Sequence, residues 1–488
     1  MIVLKADQRR LLWPVVLAGL ALVSPWLGLL GLGGLWLGGE LTPTVEYYLE
    51  PFSRDQFSWL GVPVFLIVAL FLARHPFPTD DLLRDMTAWA WHYDYHQVFW
   101  GSPRVPAYDQ YYYFDQVAGW VYRHLPHSLA PLFFQAIALI GMLWATGAML
   151  GQSLKQNPLR WSLVALALVW MLDTPVLIRI IAGRPEIFWA VWTLAAFSMR
   201  GKRFWVWLGA GICLTPAYWL AGAYGAAFWL LPDRSVRFRF LGAILFGLWT
   251  CLFWQISSHG AWWPNFSHLG GMIQHRLYPV AEDNGLSVFL QIPALVLLPV
   301  LMVVLPWNGR RTFFSTWAAL LWFCLPWMIR YVDVLFPLAL KLLADGLEPE
   351  WLNRLKPEFL KRIRAVSFLF LFCVPWSLIP LNNPVLLKVP GTLAHPSRVL
   401  APFGPKVYDT LYANPGTVRL APAMDPGMTY KRLQFLSENF DGASCPLLLA
   451  SKAQYLVTGQ TLKPSPCLQL LEVNNGWALW KVGGPSLN

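Results

Sequence analysis

The sequence predicts an all-α polytopic membrane protein of about eleven spans, closed by a small extracytoplasmic C-terminal domain that is α/β or β-rich. Three observations carry that expectation. The 488 residues are 56% hydrophobic and 13% charged, far from the balance of a soluble domain. Long apolar runs are separated by small basic groups such as "RGKR" at 200–203, "RSVRFR" at 234–239 and "NRLKPEFLKRIR" at 353–364. From about residue 382 the chain changes to less hydrophobic material rich in Pro and Gly. The net charge of +11 is dealt out between the apolar runs instead of gathered on one surface, which argues for topology signals and against a nucleic-acid partner.

The first run, "LLWPVVLAGLALVSPWLGLLGLGGLWLGG" at 11–39, is too long and lacks the small-residue cleavage site of a signal peptide, so it is expected to stay attached. Lys5, Arg9 and Arg10 argue for a cytoplasmic start, yet two ordinary spans at 11–39 and 57–74 would then return Asp80 to the cytoplasm. A re-entrant or split hairpin broken at Pro25 and the following glycines resolves the conflict; an external N-terminus is the alternative.

Further along, the run 129–150 must end inside at Lys155, which makes 75–128 an external loop. The run 161–179 goes out, "IRIIAGRPE" turns there and 187–199 returns to "RGKR". Segment 204–231, flanked by basic groups, reads as a hairpin of short helices around "CLTPAY". Runs 240–258 and 286–306 enclose a second external loop containing "QHRLYP". A hairpin at 312–347 and a last exit at 365–381 complete a transmembrane domain over 1–381. In the tail, 382–488, "CPLLLASKAQYLVTG" and "CLQLLEVNNGWALWKV" alternate like strands. Of six cysteines, Cys445 and Cys467 share this polar tail, where a disulfide fits an oxidising compartment.

The stretch "PFPTDDLLRD" has the signature of a helix start, with Thr79 as N-cap and acids in the first turn. Capping alone does not call for three acids, Asp80, Asp81 and Asp85, beside the bilayer, where charge is costly and usually functional. One such carboxylate can take a proton from an attacking hydroxyl, and a neighbour can tune it or share the acceptor's hydroxyls. The aromatics of "WAWHYDYHQVFW" and "YDQYYYFDQVAGWVYRHLP", Tyr93 and Tyr112 among them, fit either stacking on sugar rings or an interfacial belt. His92, Asp94, His96, Asp109 and Asp115 lack the spacing of a metal site, so no metal ligand is assigned. Arg184 in "AGRPE" fits either a pair with Glu186 or a grip on phosphate, and His275 and Arg276 offer further cations for a leaving phosphate.

A span ending in "HPFPTDDLLRD", the long aromatic external loop and the later "GRPE" turn together resemble the GT-C superfamily of integral-membrane glycosyltransferases, which take sugars from polyprenyl-phosphate donors. The likeness covers the layout of 57–380, but residue by residue only the acidic pair and the Arg-Pro-Glu turn. It implies Asp80 or Asp81 as base; the expectation built on it is an inverting transferase of a bacterial inner membrane, with Asp85, Tyr93 and Tyr112 assigned to the acceptor. Arg184, His275 and Arg276 would then meet the donor phosphate, and the acceptor would be a glycan, lipid or protein. A divalent Mg2+ or Mn2+ ion is neither required nor excluded by these residues. Asp55 in "EPFSRDQF" becomes the loop acid if the topology shifts by one span. Two rivals stand beside this expectation: transfer of a preassembled lipid-linked glycan, and a lipid or solute flippase or transporter. The few charges within the spans and the absence of two related halves weigh against the last.

Overall fold

The computed structural model describes residues 10, 12–14, 16, 17, 20, 25–41, 43, 44, 81–98, 111–153, 182–197, 199, 203, 206, 207, 210, 244, 248, 252, 358, 386–401, 405–420, 440–459, 465–474 and 476–483. The chain divides into two compact units, one of residues 1–74, 134–254 and 280–380, the other of residues 75–133, 255–279 and 381–488. Packing therefore groups the acidic, aromatic loop with the C-terminal tail, although some 250 residues of sequence separate them.

In the first unit, helix α1 spans Pro25–Leu37. Pro25 stands at its first position, where a missing N–H costs nothing. Of the glycines that offer break points in this run, those at 28–34 are helical, while the helix ends at the last two, Gly38 and Gly39, the latter with φ +70°. A Cβ on Gly31 would lie 2.8 Å from Leu20 and 3.0 Å from Leu17, so the missing side chain admits the preceding helical segment. Arg10 Nε is 3.8 Å from Glu40 Oε2, and the two ends of the run 11–39 therefore meet.

In the same unit, the 24-residue helix Ala130–Ser153, called α5 below, contributes its residues from 134 onward. It packs on α6, Pro185–Phe197, where a Cβ on Gly141 would lie 3.1 Å from Val191 and Phe134 meets Phe188 edge-on. Trp192 stacks on Trp207 at 4.0 Å, and each indole N–H donates to the other residue's carbonyl at 2.8 and 3.0 Å. Among residues described with their side chains, no helix is long and apolar enough to cross a membrane. The whole α5 sequence is uncharged, and its 24 residues extend over about 36 Å.

The second unit opens with α2 (Asp81–Thr87), which passes through a 3-10 turn at Ala88–Trp91 into α3 (Tyr95–Val98), and continues with α4 (Tyr112–His124). Its tail holds β1 (Ser397–Leu400), α7 (Pro405–Ala413), β2 (Val418–Leu420), α8 (Cys445–Ala450), β3 (Tyr455–Gly459), β4 (Leu468–Asn474) and β5 (Trp477–Val482). The strands form one mixed sheet in the order β2-β1-β3-β5-β4. Strands β2, β1 and β3 run parallel, with Ser397 opposite Val418 and Val399 opposite Tyr455. Strands β3, β5 and β4 are antiparallel, with Val457 opposite Leu479. Helix α7 supplies the crossover that parallel neighbours need, while β4 and β5 join through Asn475-Gly476, with Gly476 at φ +79°.

Two features of the tail concern the sequence expectations directly. "CPLLLA" is the helix α8 and not a strand: Pro446 suits a first helical turn, and Leu448 is buried while Leu447 and Leu449 face outward. Cys445 and Cys467 are joined by a disulfide with Cα atoms 5.9 Å apart, buried in the core with Leu400, Leu456 and Trp480.

Candidate functional site

Helix α2 is buried on every side. Leu82, Leu83 and Met86 supply the apolar contacts expected of such a helix, but Asp81, Arg84 and Asp85 are buried with them. Their spacing of i, i+3 and i+4 aligns all three on one face. Ions removed from water need partners, and here they partner one another. Arg84 donates to Asp85 Oδ1 twice, from Nε at 2.9 Å and Nη2 at 2.5 Å, while its Nη1 stands 3.6 Å from Asp81 Oδ1. The Tyr111 ring lies under the guanidinium, 5.7 Å from centroid to Cζ. Asp81, at 8% exposure against 0% for Asp85, is the carboxylate of the pair that solvent reaches.

Among the described elements, the 3-10 turn, α4 and the tail's α7 pack against α2. The last two each carry a fully buried carboxylate, Asp115 and Asp409. Thr87 closes α2 by donating its hydroxyl to the Leu83 and Arg84 carbonyls, both at 3.0 Å. The chain then adopts two consecutive left-handed residues, His92 at φ 54° and Tyr93 at φ 60°. Without glycine, each such residue costs roughly 1–2 kcal/mol, and that strain aims Tyr93 at Tyr112. Their rings meet edge-on at 5.0 Å, and Tyr113 extends the group at 5.4 Å from Tyr112. Burial, with a smaller contribution from Tyr112, pushes the Tyr113 phenol above its ordinary range. Because Tyr111 and Tyr112 are adjacent, the first turn of α4 serves both the charged cluster and the aromatic pair.

A second set of contacts ties this loop to the tail. Tyr122 stacks on His127 at 4.4 Å and meets Tyr412 edge-on at 5.0 Å. The Tyr122 hydroxyl donates to the Tyr412 carbonyl at 3.2 Å, and the Tyr412 hydroxyl donates to the His127 carbonyl. Burial pushes Tyr122 up to about 12 and raises Tyr412 further, with Tyr122 adding to the latter. Gly416, at φ +72°, lets the tail approach the 3-10 turn, where an added Cβ would sit 3.4 Å from Ala90. Asn414 braces the tail side: it accepts from Val389 N at 2.9 Å and donates to the Leu387 and Thr410 carbonyls at 2.8 and 2.9 Å.

Of the sequence-derived candidates, the structure brings Asp81 and Asp85 into one cluster and Tyr93 and Tyr112 into one ring pair, all in the second unit. Arg184 belongs to the first unit, half-buried directly before α6 and after Gly183 at φ +64°. A guanidinium there adds to the positive end of the helix dipole. Asp80, His275, Arg276, Asp55 and Asp109 lie outside the described residues, as do the side chains of Glu186 and His96. Arg84, Tyr111 and the Tyr122–Tyr412 contact were not singled out from sequence. The i, i+3 spacing of Asp81 and Arg84 was the available signal for the first. Among the described residues, no three His, Cys, Asp or Glu side chains converge as a metal ion requires. No protein-family model, curated protein or solved structure matches the chain.

Proposed function

We propose that the chain is an integral-membrane glycosyltransferase of GT-C type that moves a sugar from a polyprenyl-phosphate donor to an acceptor on the extracytoplasmic face. The observation that carries this reading is Asp81, a carboxylate at the edge of a buried ionic cluster, in the same unit as the paired rings of Tyr93 and Tyr112. Asp81 acts as the base toward the acceptor hydroxyl, and the tyrosines offer edges and faces to a sugar ring. Attack at the anomeric carbon forms the new glycosidic bond and expels the lipid phosphate with inversion. From the sequence alone, Arg184, His275 and Arg276 are the cations assigned to that phosphate. The uncharged length of α5 and the meeting ends of the run 11–39 agree with a membrane-embedded first unit. The meeting ends agree with a run that returns to the side it left; with one further span at 57–74, expected from the sequence, Asp81 is assigned to the outer face. The disulfide agrees with a tail in an oxidising compartment.

The test is reconstitution of the full chain in vesicles containing polyprenyl phosphate carrying a radiolabelled sugar, with membrane extracts supplying acceptors. Transfer of label out of the lipid fraction with release of polyprenyl phosphate is expected. Movement of intact labelled lipid between leaflets without bond cleavage would overturn the reading in favour of a flippase.

A further inference from the structure

Arg84 faces two carboxylates but does not treat them alike. It spends two N–H donors on Asp85 at 2.5 and 2.9 Å and stands off Asp81 at 3.6 Å. Asp85 is fully buried and cannot meet an acceptor as it stands, whereas Asp81 is reached by solvent. The Tyr111 ring, packed on the guanidinium, helps fix which way the fork points. A charge-assisted bond between Arg84 and Asp81 at the shorter distance would bury the base behind its own partner.

We infer that Asp85 and Tyr111 form a clamp that holds Arg84 off Asp81, so that the cation supports the base's charge without closing over it. This rests on the proposed function for Asp81 and reassigns Asp85 from acceptor contact to a positioning residue. Arg84 and Tyr111 are positioning residues in the same sense. The neighbouring helices α4 and α7 each carry a fully buried carboxylate of their own, Asp115 and Asp409.

Asp85→Asn leaves Arg84 one ionic partner within its own helix, and the guanidinium is expected to close on Asp81. The cluster of three then carries no net charge in place of one negative charge. Transfer should fall about 100-fold in kcat with KM little changed, the scale of losing an effective base. The double variant Arg84→Gln with Asp85→Asn removes the cation and should recover to within about tenfold of the native chain. Asp85→Glu, which keeps the charge, should also stay within about tenfold. A merely structural role for Asp85 predicts the reverse order, with the double variant at least as impaired as the single one, and that order would overturn the clamp.

A second readout needs no catalysis: carbodiimide-coupled amine labelling of Asp81 in vesicles, measured by peptide mass. Labelling is expected in the native chain, several-fold protection in Asp85→Asn, and labelling again in the double variant. Equal labelling in all three would also overturn the clamp. The expected labelling pattern in a chain without transfer activity would leave the clamp standing and sink the transferase reading alone.

Discussion

Replacing Tyr412 with Ala tests whether the acidic loop and the tail fold as one body. The Tyr412 ring is 2% exposed and lies against Tyr122, itself 3% exposed, and its hydroxyl donates to the His127 carbonyl. Truncating a buried aromatic costs about 3–5 kcal/mol, which includes the edge-on ring pairing worth about 1 kcal/mol. Loss of the hydroxyl alone, as in Tyr412→Phe, costs about 1 kcal/mol, because the His127 carbonyl belongs to an exposed turn where water replaces the lost donor. If loop and tail open together, amide hydrogen exchange should quicken at 81–98 and 112–124 as well as at 405–420. At about 1.4 kcal/mol per tenfold, Tyr412→Ala should accelerate exchange more than 100-fold and Tyr412→Phe about fivefold. Acceleration confined to the tail, with 81–98 and 112–124 unchanged in Tyr412→Ala, would refute the reasoning.

Three further outcomes are expected. Replacing Cys445 and Cys467 together by Ser should destabilise the tail by about 3 kcal/mol for a loop of 22 residues, read as a lower melting temperature that reducing agent does not lower again. Gly416→Ala should cost about 1–2 kcal/mol, nearly all from its left-handed φ, because the side chain an added Cβ would strike is the outer end of the exposed Leu393; a melt unchanged from the native chain would contradict that. The contact between Tyr122 and Tyr412 should weaken in alkali. Because burial raises Tyr122 from 10.0 to about 12, its contribution is complete below pH 10 and lost as pH rises toward 12. Tyrosinate absorbance should therefore show at least two late-titrating phenols; in Tyr412→Ala one of them is gone and Tyr122 should titrate nearer its ordinary range, and titration of every tyrosine near pH 10 in the native chain would count against it.

Local rules made parts of this structure legible in the sequence. "CLQLLEVNNGWALWKV" reads as strand-like because its residues alternate, and β4 and β5 both lie within it. The tail cysteines read as a pair because they share a polar segment, and they are bonded. "TDDLLRD" reads as the opening of a helix, and Asp81–Thr87 is helical, Thr79 and Asp80 lying outside the described residues. What failed was the reading of helix against strand in "CPLLLA", where a short apolar run carries no decisive period and the single buried Leu448 settles the matter only in three dimensions.

The site itself was legible as a set of residue types but not as an arrangement. Sequence reading set Asp85 beside the acceptor because it lies near Asp81; the structure turns it inward, because α4 and the far-off α7 cover that face of α2. No local pattern in seven residues announces a cover supplied more than 300 residues later. The same holds for Tyr412, whose partners Tyr122 and His127 belong to a loop at the other end of the chain.

The central claim is that Asp81 is the base of a sugar transfer. The most direct measurement is the rate of label transfer from polyprenyl-phosphate-linked sugar by vesicles carrying Asp81→Asn, matched in amount and melting temperature to the native chain. Asn keeps the size and loses the proton-accepting charge, so kcat should fall about 100-fold or more while donor binding is retained. Transfer at the native rate by Asp81→Asn would contradict the account.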